Sequence, residues 1–255
     1  MKKLDTLLVY FGVAIIFILY FITKSIFLLI VGIIFLILVL VLYKFYLAQY
    51  INSIKDVEKR IEKLEGIIST SKNGLQKALY LNQLSTCYNE KGENEKALQI
   101  VRAAKQLLLS DNDKSRIIIM EGVPMMEVLK LNEANYLIEL NQFGEASQLL
   151  NDIDDTMIKD ETILFSLDLA HASLAVSKGF SDIARLHLNK LQDVSNLRRS
   201  NAGILEYHVL LVQAKCDLLE HDTVSAISKL DKIINCSKFP HTVELAMELK
   251  NTSGV

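Results

Sequence analysis

The chain has 255 residues, 51 % of them apolar and 23 % charged, with 28 basic and 30 acidic side chains for a formal net charge of −2. Two prolines, ten glycines and three cysteines are too few for a turn-rich β domain or a disulfide framework. The mild acidity excludes nucleic acid as the main partner, since phosphate binding needs clustered Lys and Arg. The expected class is all-α.

From Leu4 to Leu42 nearly every residue is apolar, with Asp5, Thr6, Thr23, Lys24 and Ser25 as interruptions. As one helix this run is about 58 Å long, about twice a hydrocarbon core of roughly 30 Å. The break near its middle predicts two helices, about 4–22 and 26–43, joined by a tight turn. The turn keeps Lys24 out of hydrocarbon, where it costs roughly 2.5–3.5 kcal/mol. Residues 1–47 therefore read as a two-helix transmembrane hairpin. Lys2 and Lys3 precede it, and Lys44, Lys55, Lys59, Arg60 and Lys63 follow it. With only Lys24 in the turn, both termini are expected to be cytoplasmic and the protein to be a two-span protein of the cell membrane.

Residues 48–74 form a juxtamembrane helix and linker. The second membrane helix is expected to run on past Tyr50 to about Ile68. Ile54, Val57, Ile61, Leu64 and Ile68 repeat at alternating spacings of three and four, the stripe of a short coiled coil. The stripe either packs on the following domain or pairs two copies as a homodimeric stem. Ser69 to Gly74 then reads as a helix stop and loop.

From Leu75 the chain falls into helix pairs. Leu75–Glu90 and Glu95–Leu109 are amphipathic helices around a turn at Lys91–Asn94. Within this pair stand Leu81, Leu84, Tyr88, Gly92, Ala97, Val101 and Ala104. These offsets resemble a tetratricopeptide repeat: large residues on the first helix, glycine in the turn, and alanine five positions later where the helices cross. Looser copies follow, with crossing alanines at Ala146, Ala184 and Ala226. The resemblance covers about 75–239 and implies an α-solenoid, so that 75–255 reads as one helical-repeat domain. Pro240 opens a last helix, about 241–250, expected to cap the stack.

Two inserts interrupt the units. Ser110–Arg116 is a polar loop, after which Ile117–Met120 is expected to extend a helix; Pro124 suits the first turn of a helix running to about Leu140. Asn196–Gly203, with Arg198 and Arg199, is expected to be a solvated loop. All three cysteines, Cys87, Cys216 and Cys236, read as small core residues.

Catalytic spacing is absent. There is no glycine-rich phosphate loop, no paired Cys-x-x-Cys, no His-Glu-x-x-His and no nucleophile elbow. His171, His187, His208, His221 and His241 have no ligand partner on the same helical turn. Asp152, Asp154, Asp155 and Asp160 lack the glycine and terminal glutamate of a calcium loop and read as solvated charge and helix caps. No catalytic residue, metal or cofactor is expected.

A stack of this kind presents the first helix of each pair along a concave groove. The register assigns to it Asn82, Thr86 and Asn89 from unit one and Leu131, Asn135 and Ile138 from unit two. Unit three contributes Leu169 and Ser173, and unit four Leu211 and Lys215. Thr86, Asn135, Ser173 and Lys215 form a polar seam beside the apolar residues. Asparagine can pair with both the N–H and the C=O of an extended peptide. The expected role is a non-enzymatic, membrane-anchored adaptor or scaffold whose groove holds a protein or peptide partner. Asn135→Ala and Leu169→Asp are expected to weaken capture without unfolding the domain. The alternatives are a subunit of a larger membrane complex, associating through the hairpin, and a sensor of signalling peptides.

Overall fold

The computed structural model describes residue 20 and residues 26–54, 56–110, 118–119, 123–191, 199–237 and 239–253. Among them the chain is all-α, with eleven α-helices and one two-residue strand pair. It divides into two compact units, Met1–Asp56 and Val57–Val255.

The first unit contains α1 (Ile26–Ser53). The expected first hairpin helix and the turn at 23–25 lie outside the described residues, Tyr20 apart. Among the described residues no helix is long and apolar enough to cross a membrane. This finding overturns the expected placement as a two-span protein of the cell membrane with cytoplasmic termini.

The expected continuous helix through Ile68 is also broken. α1 ends at Ser53 and α2 covers Val57–Thr70. Asp56 stands just before α2 and Glu58 lies in its first turn, which is the chemistry of a helix start. Of the coiled-coil stripe, Ile61 and Leu64 are buried, and α2 packs on the next helix, α3 (Gly74–Glu90). Arg60 pairs with Glu90, and the Tyr88 hydroxyl donates to Glu65 at 3.0 Å. These two stripe residues are thus used inside the chain.

Four helix pairs follow: α3 with α4 (Asn94–Ser110), α5 (Met125–Glu139) with α6 (Phe143–Asn151), α7 (Glu161–Ser177) with α8 (Ser181–Lys190), and α9 (Arg199–Leu219) with α10 (Thr223–Cys236). Each first helix packs on its own partner and on the first helix of the next pair, so α3, α5, α7 and α9 form one continuous layer. A last helix, α11 (Pro240–Thr252), packs on α9 and α10.

The same turn joins the helices of every pair. Gly92, Asn141, Gly179 and His221 have φ of +77°, +58°, +82° and +63°, and each stands five residues before its crossing alanine. In each turn the following residue donates its N–H to the carbonyl five back: Glu93 to Tyr88, Gln142 to Leu137, Phe180 to Ala175 and Asp222 to Asp217, at 2.8–2.9 Å. The positive-φ residue donates to the carbonyl three back, at 2.8–3.2 Å. This pair of bonds is a Schellman stop, which satisfies the carbonyls orphaned at the helix end. Ala97, Ala146, Ala184 and Ala226 are completely buried, as close crossing requires.

Ion pairs bind one unit to the next. Glu133, 4 % exposed, accepts from Arg102 at 2.7 Å and Lys105 at 2.5 Å. Asp217, 3 % exposed, accepts from Arg185 at 2.5 Å and Lys229 at 2.6 Å. Burial raises the Asp217 pKa, but its bonds from Lys229 and Arg185 outweigh that and hold it below the usual value.

Several local expectations change. Ile118–Ile119 pairs with Val123–Pro124 as an antiparallel bridge instead of extending a helix, in keeping with the strand preference of β-branched residues. Pro124 is the N-cap of α5. α9 begins at Arg199, inside the expected loop. Asp154 and Asp160 cap helices, Asp160 accepting from the N–H groups of Thr162 and Ile163. Cys87 and Cys216 are buried, but Cys236 is exposed.

The turns differ in a testable way. A Cβ on Gly92 meets the His241 ring at 3.0 Å, whereas one on Gly179 meets nothing within 4 Å. Gly179→Ala should cost only the left-handed strain, about 1–2 kcal/mol, and Gly92→Ala clearly more. His221→Gly should leave stability unchanged or higher. Urea unfolding of the three variants checks the order.

Candidate functional site

The first-helix layer frames a cavity of about 290 Å³. Counting back from each crossing alanine, position −11 is Thr86, Asn135, Ser173 and Lys215, and all four line this cavity. The seam follows from helical geometry, because equivalent residues of successive first helices stack along one side of the layer.

Eight of the ten expected groove residues line the cavity: Thr86, Asn89, Asn135, Ile138, Leu169, Ser173, Leu211 and Lys215. The other two are engaged elsewhere. Asn82 accepts from Asn132 at 2.8 Å between units one and two, and Leu131 is 2 % exposed in the core. Ile138, Leu169 and Leu211 are themselves buried, so they form the cavity's floor as packing residues. Leu169 belongs to a cluster with Phe165, Ala172, Val176 and Val209. A carboxylate there would unfold unit three, so Leu169→Asp is not a clean probe of binding.

Sequence reasoning missed Asn132, Ser166, Leu205, His208, Val212, His241 and Leu245, along with Glu90 and Glu139. Two further helical turns back, position −18, would have found Ser166 and His208. His241 and Leu245 come from α11, whose N-cap Phe239 makes no side-chain cap bond. α11 returns to the turn between α3 and α4, where His241 lies against Gly92. The expected terminal cap therefore also forms part of the cavity wall.

The polar lining divides by partner. Thr86 donates to the Gln83 carbonyl at 2.7 Å, Asn89 to Asn94 at 2.7 Å and Ser166 to the Thr162 carbonyl at 2.8 Å. Glu90 is paired with Arg60. Burial, then the charges of His241 and Lys215, pull the His208 pKa down to about 4. At neutral pH its ring is neutral, with one N–H to donate and one nitrogen to accept.

No family model, curated protein or solved structure matches the chain.

The depressed His208 value fixes the sign of a pH effect. An unfolded histidine titrates near 6.5 and the folded one near 4. Stability is therefore full above about pH 6.5 and falls as pH drops towards 4, by at most about 1.4 kcal/mol per pH unit. His208→Gln should flatten this slope in urea unfolding between pH 7 and 4.5. An unchanged slope would show that His208 is not held neutral.

Proposed function

We propose that this chain is a non-enzymatic adaptor or scaffold of tetratricopeptide-like architecture, which holds a protein or peptide partner along the seam of its first-helix layer. The supporting observation is the convergence of the four −11 residues on one cavity. A seam of Thr86, Asn135, Ser173 and Lys215 offers donors and acceptors at the stacking interval of the units, which suits an extended backbone. The buried apolar side chains beneath it, Ile138, Leu169 and Leu211, give that partner an apolar floor.

Asn135 is half-buried, and its side chain makes no hydrogen bond among the described residues. It is therefore a better probe than the core leucines. A photo-reactive side chain at Thr86 or Ser173 should crosslink one discrete partner. The same group at Asp182, exposed on α8, should not. Asn135→Ala should reduce the Ser173 crosslink several-fold with unchanged thermal unfolding. Equal crosslinking from Asp182, or none from the seam, would contradict the reading.

A further inference from the structure

The last helix, α11, lies against the first-helix layer. Its His241 rests on Gly92 in the turn after α3, and with Leu245 it walls the seam cavity. Further along, Leu245, Leu249 and Thr252 share a second cavity of about 250 Å³ with Ile138 and Asn141, around the end of α5, and Ser177, at the end of α7. One helix thus borders the C-terminal ends of α3, α5 and α7 while it packs on α9 and α10.

The seat of α11 has the form of a helix-binding groove. Thr242, Leu245, Ala246 and Leu249 stand at i, i+3, i+4 and i+7, the anchor pattern of an amphipathic helix laid in an apolar groove. Thr242 and Ala246 are buried. Leu245, Ala246 and Leu249 pack with Leu211 and Ala214 of α9 and with Leu230 and Ile233 of α10. On the opposite face Glu244, Met247, Glu248 and Asn251 are exposed.

The attachment is light. α5 and α7 each bury eight residues, whereas α11 buries two, a threonine and an alanine. Lys250 pairs with Asp231 at 2.7 Å, but both side chains are part-exposed, and such pairs contribute little. Phe239 gives α11 no side-chain cap bond. Both ring nitrogens of His241 are buried without a hydrogen-bond partner among the described residues. Release of α11 gives them water, which offsets part of the apolar contact that is lost. The pivot is better held. The Tyr207 hydroxyl donates to the Cys236 carbonyl at 2.9 Å, and its ring meets Phe239 edge-on at 6.4 Å. α11 can therefore swing about Phe239 and Pro240 with α10 in place.

We propose that α11 is an autoinhibitory strap: it fills a helix-binding groove on α9 and α10 and closes the seam cavity, so that a partner reaches the seam only when α11 swings out. This rests on the partner-binding reading above and adds its regulation.

The test uses the full-length chain. Ala246→Glu places a carboxylate beneath α11 and should detach it with the four helix pairs still folded. Lys215→Cys reports on closure, because Lys215 lines both cavities. Its alkylation by N-ethylmaleimide, followed site by site by mass spectrometry, should be roughly tenfold faster with Ala246→Glu than without it. A peptide of residues 239–253, acetylated and amidated, should bind the Ala246→Glu chain saturably and slow the alkylation again. It should bind the unsubstituted chain roughly tenfold more weakly, because apparent affinity falls with the fraction of grooves that are open. The same peptide carrying Ala246→Glu should do neither. Lys250→Glu, which faces Asp231 with a like charge, is the milder variant and should raise the alkylation rate about two- to fivefold with unchanged helix content. Equal alkylation in all backgrounds, or equal peptide binding by both chains, would overturn the strap. So would unfolding of the helix pairs by Ala246→Glu, which would make α11 part of the core. If alkylation and peptide behave as stated while Ser173 crosslinks no partner, the strap stands and the partner reading alone falls. A Ser173 crosslink equally strong with and without Ala246→Glu would overturn the strap and leave the partner reading standing.

Discussion

Everything in the repeat domain depends on one local constraint: a left-handed residue that stops the first helix, five positions before an alanine that lets the second helix cross closely. The stop is made four times with the same two backbone hydrogen bonds. Two of the four positions are glycine, and the others are Asn141 and His221, residue types that tolerate this region better than most. The fixed turn sets the angle of each pair, and the buried alanine sets its separation. Repetition of both turns a helix-by-helix geometry into a layer, and the layer creates the seam.

The stack is short, and this gives α11 its importance. Instead of only covering apolar surface at the end of the stack, α11 reaches back so that His241 meets the turn between α3 and α4. His241 brings two buried ring nitrogens without a hydrogen-bond partner among the described residues, and an unmet buried group costs about 1–3 kcal/mol. Elsewhere in the domain, buried charge is paired: Glu133 and Asp217 each have two cations within hydrogen-bond reach.

Local rules made much of this legible in the sequence. The crossing alanines, the turn positions and the polar seam all follow from fixed offsets, and the helices at 75–90 and 95–109 lie within a residue of α3 and α4. Three kinds of feature were not legible. The break between α1 and α2 turns on the choice of Asp56 as a helix start within a continuous helical pattern. The burial of Leu131 and Leu169 depends on neighbours from other units, which offsets within one helix cannot supply. The part played by His241 depends on the return of α11 across more than 140 residues of chain to Gly92. The expected membrane spans failed for a different reason: apolarity of sequence alone does not establish a spanning helix, and none is found among the described residues.

The most direct test of this account is the contact that closes the cavity. A nuclear Overhauser effect between the Gly92 α-protons and the His241 ring protons should be strong in the full-length chain, because the ring lies about 3 Å from where a Gly92 Cβ would stand. Absence of that effect, with both resonances assigned and the four turns intact, would show that α11 does not reach the turn between α3 and α4 and that the cavity described here does not form.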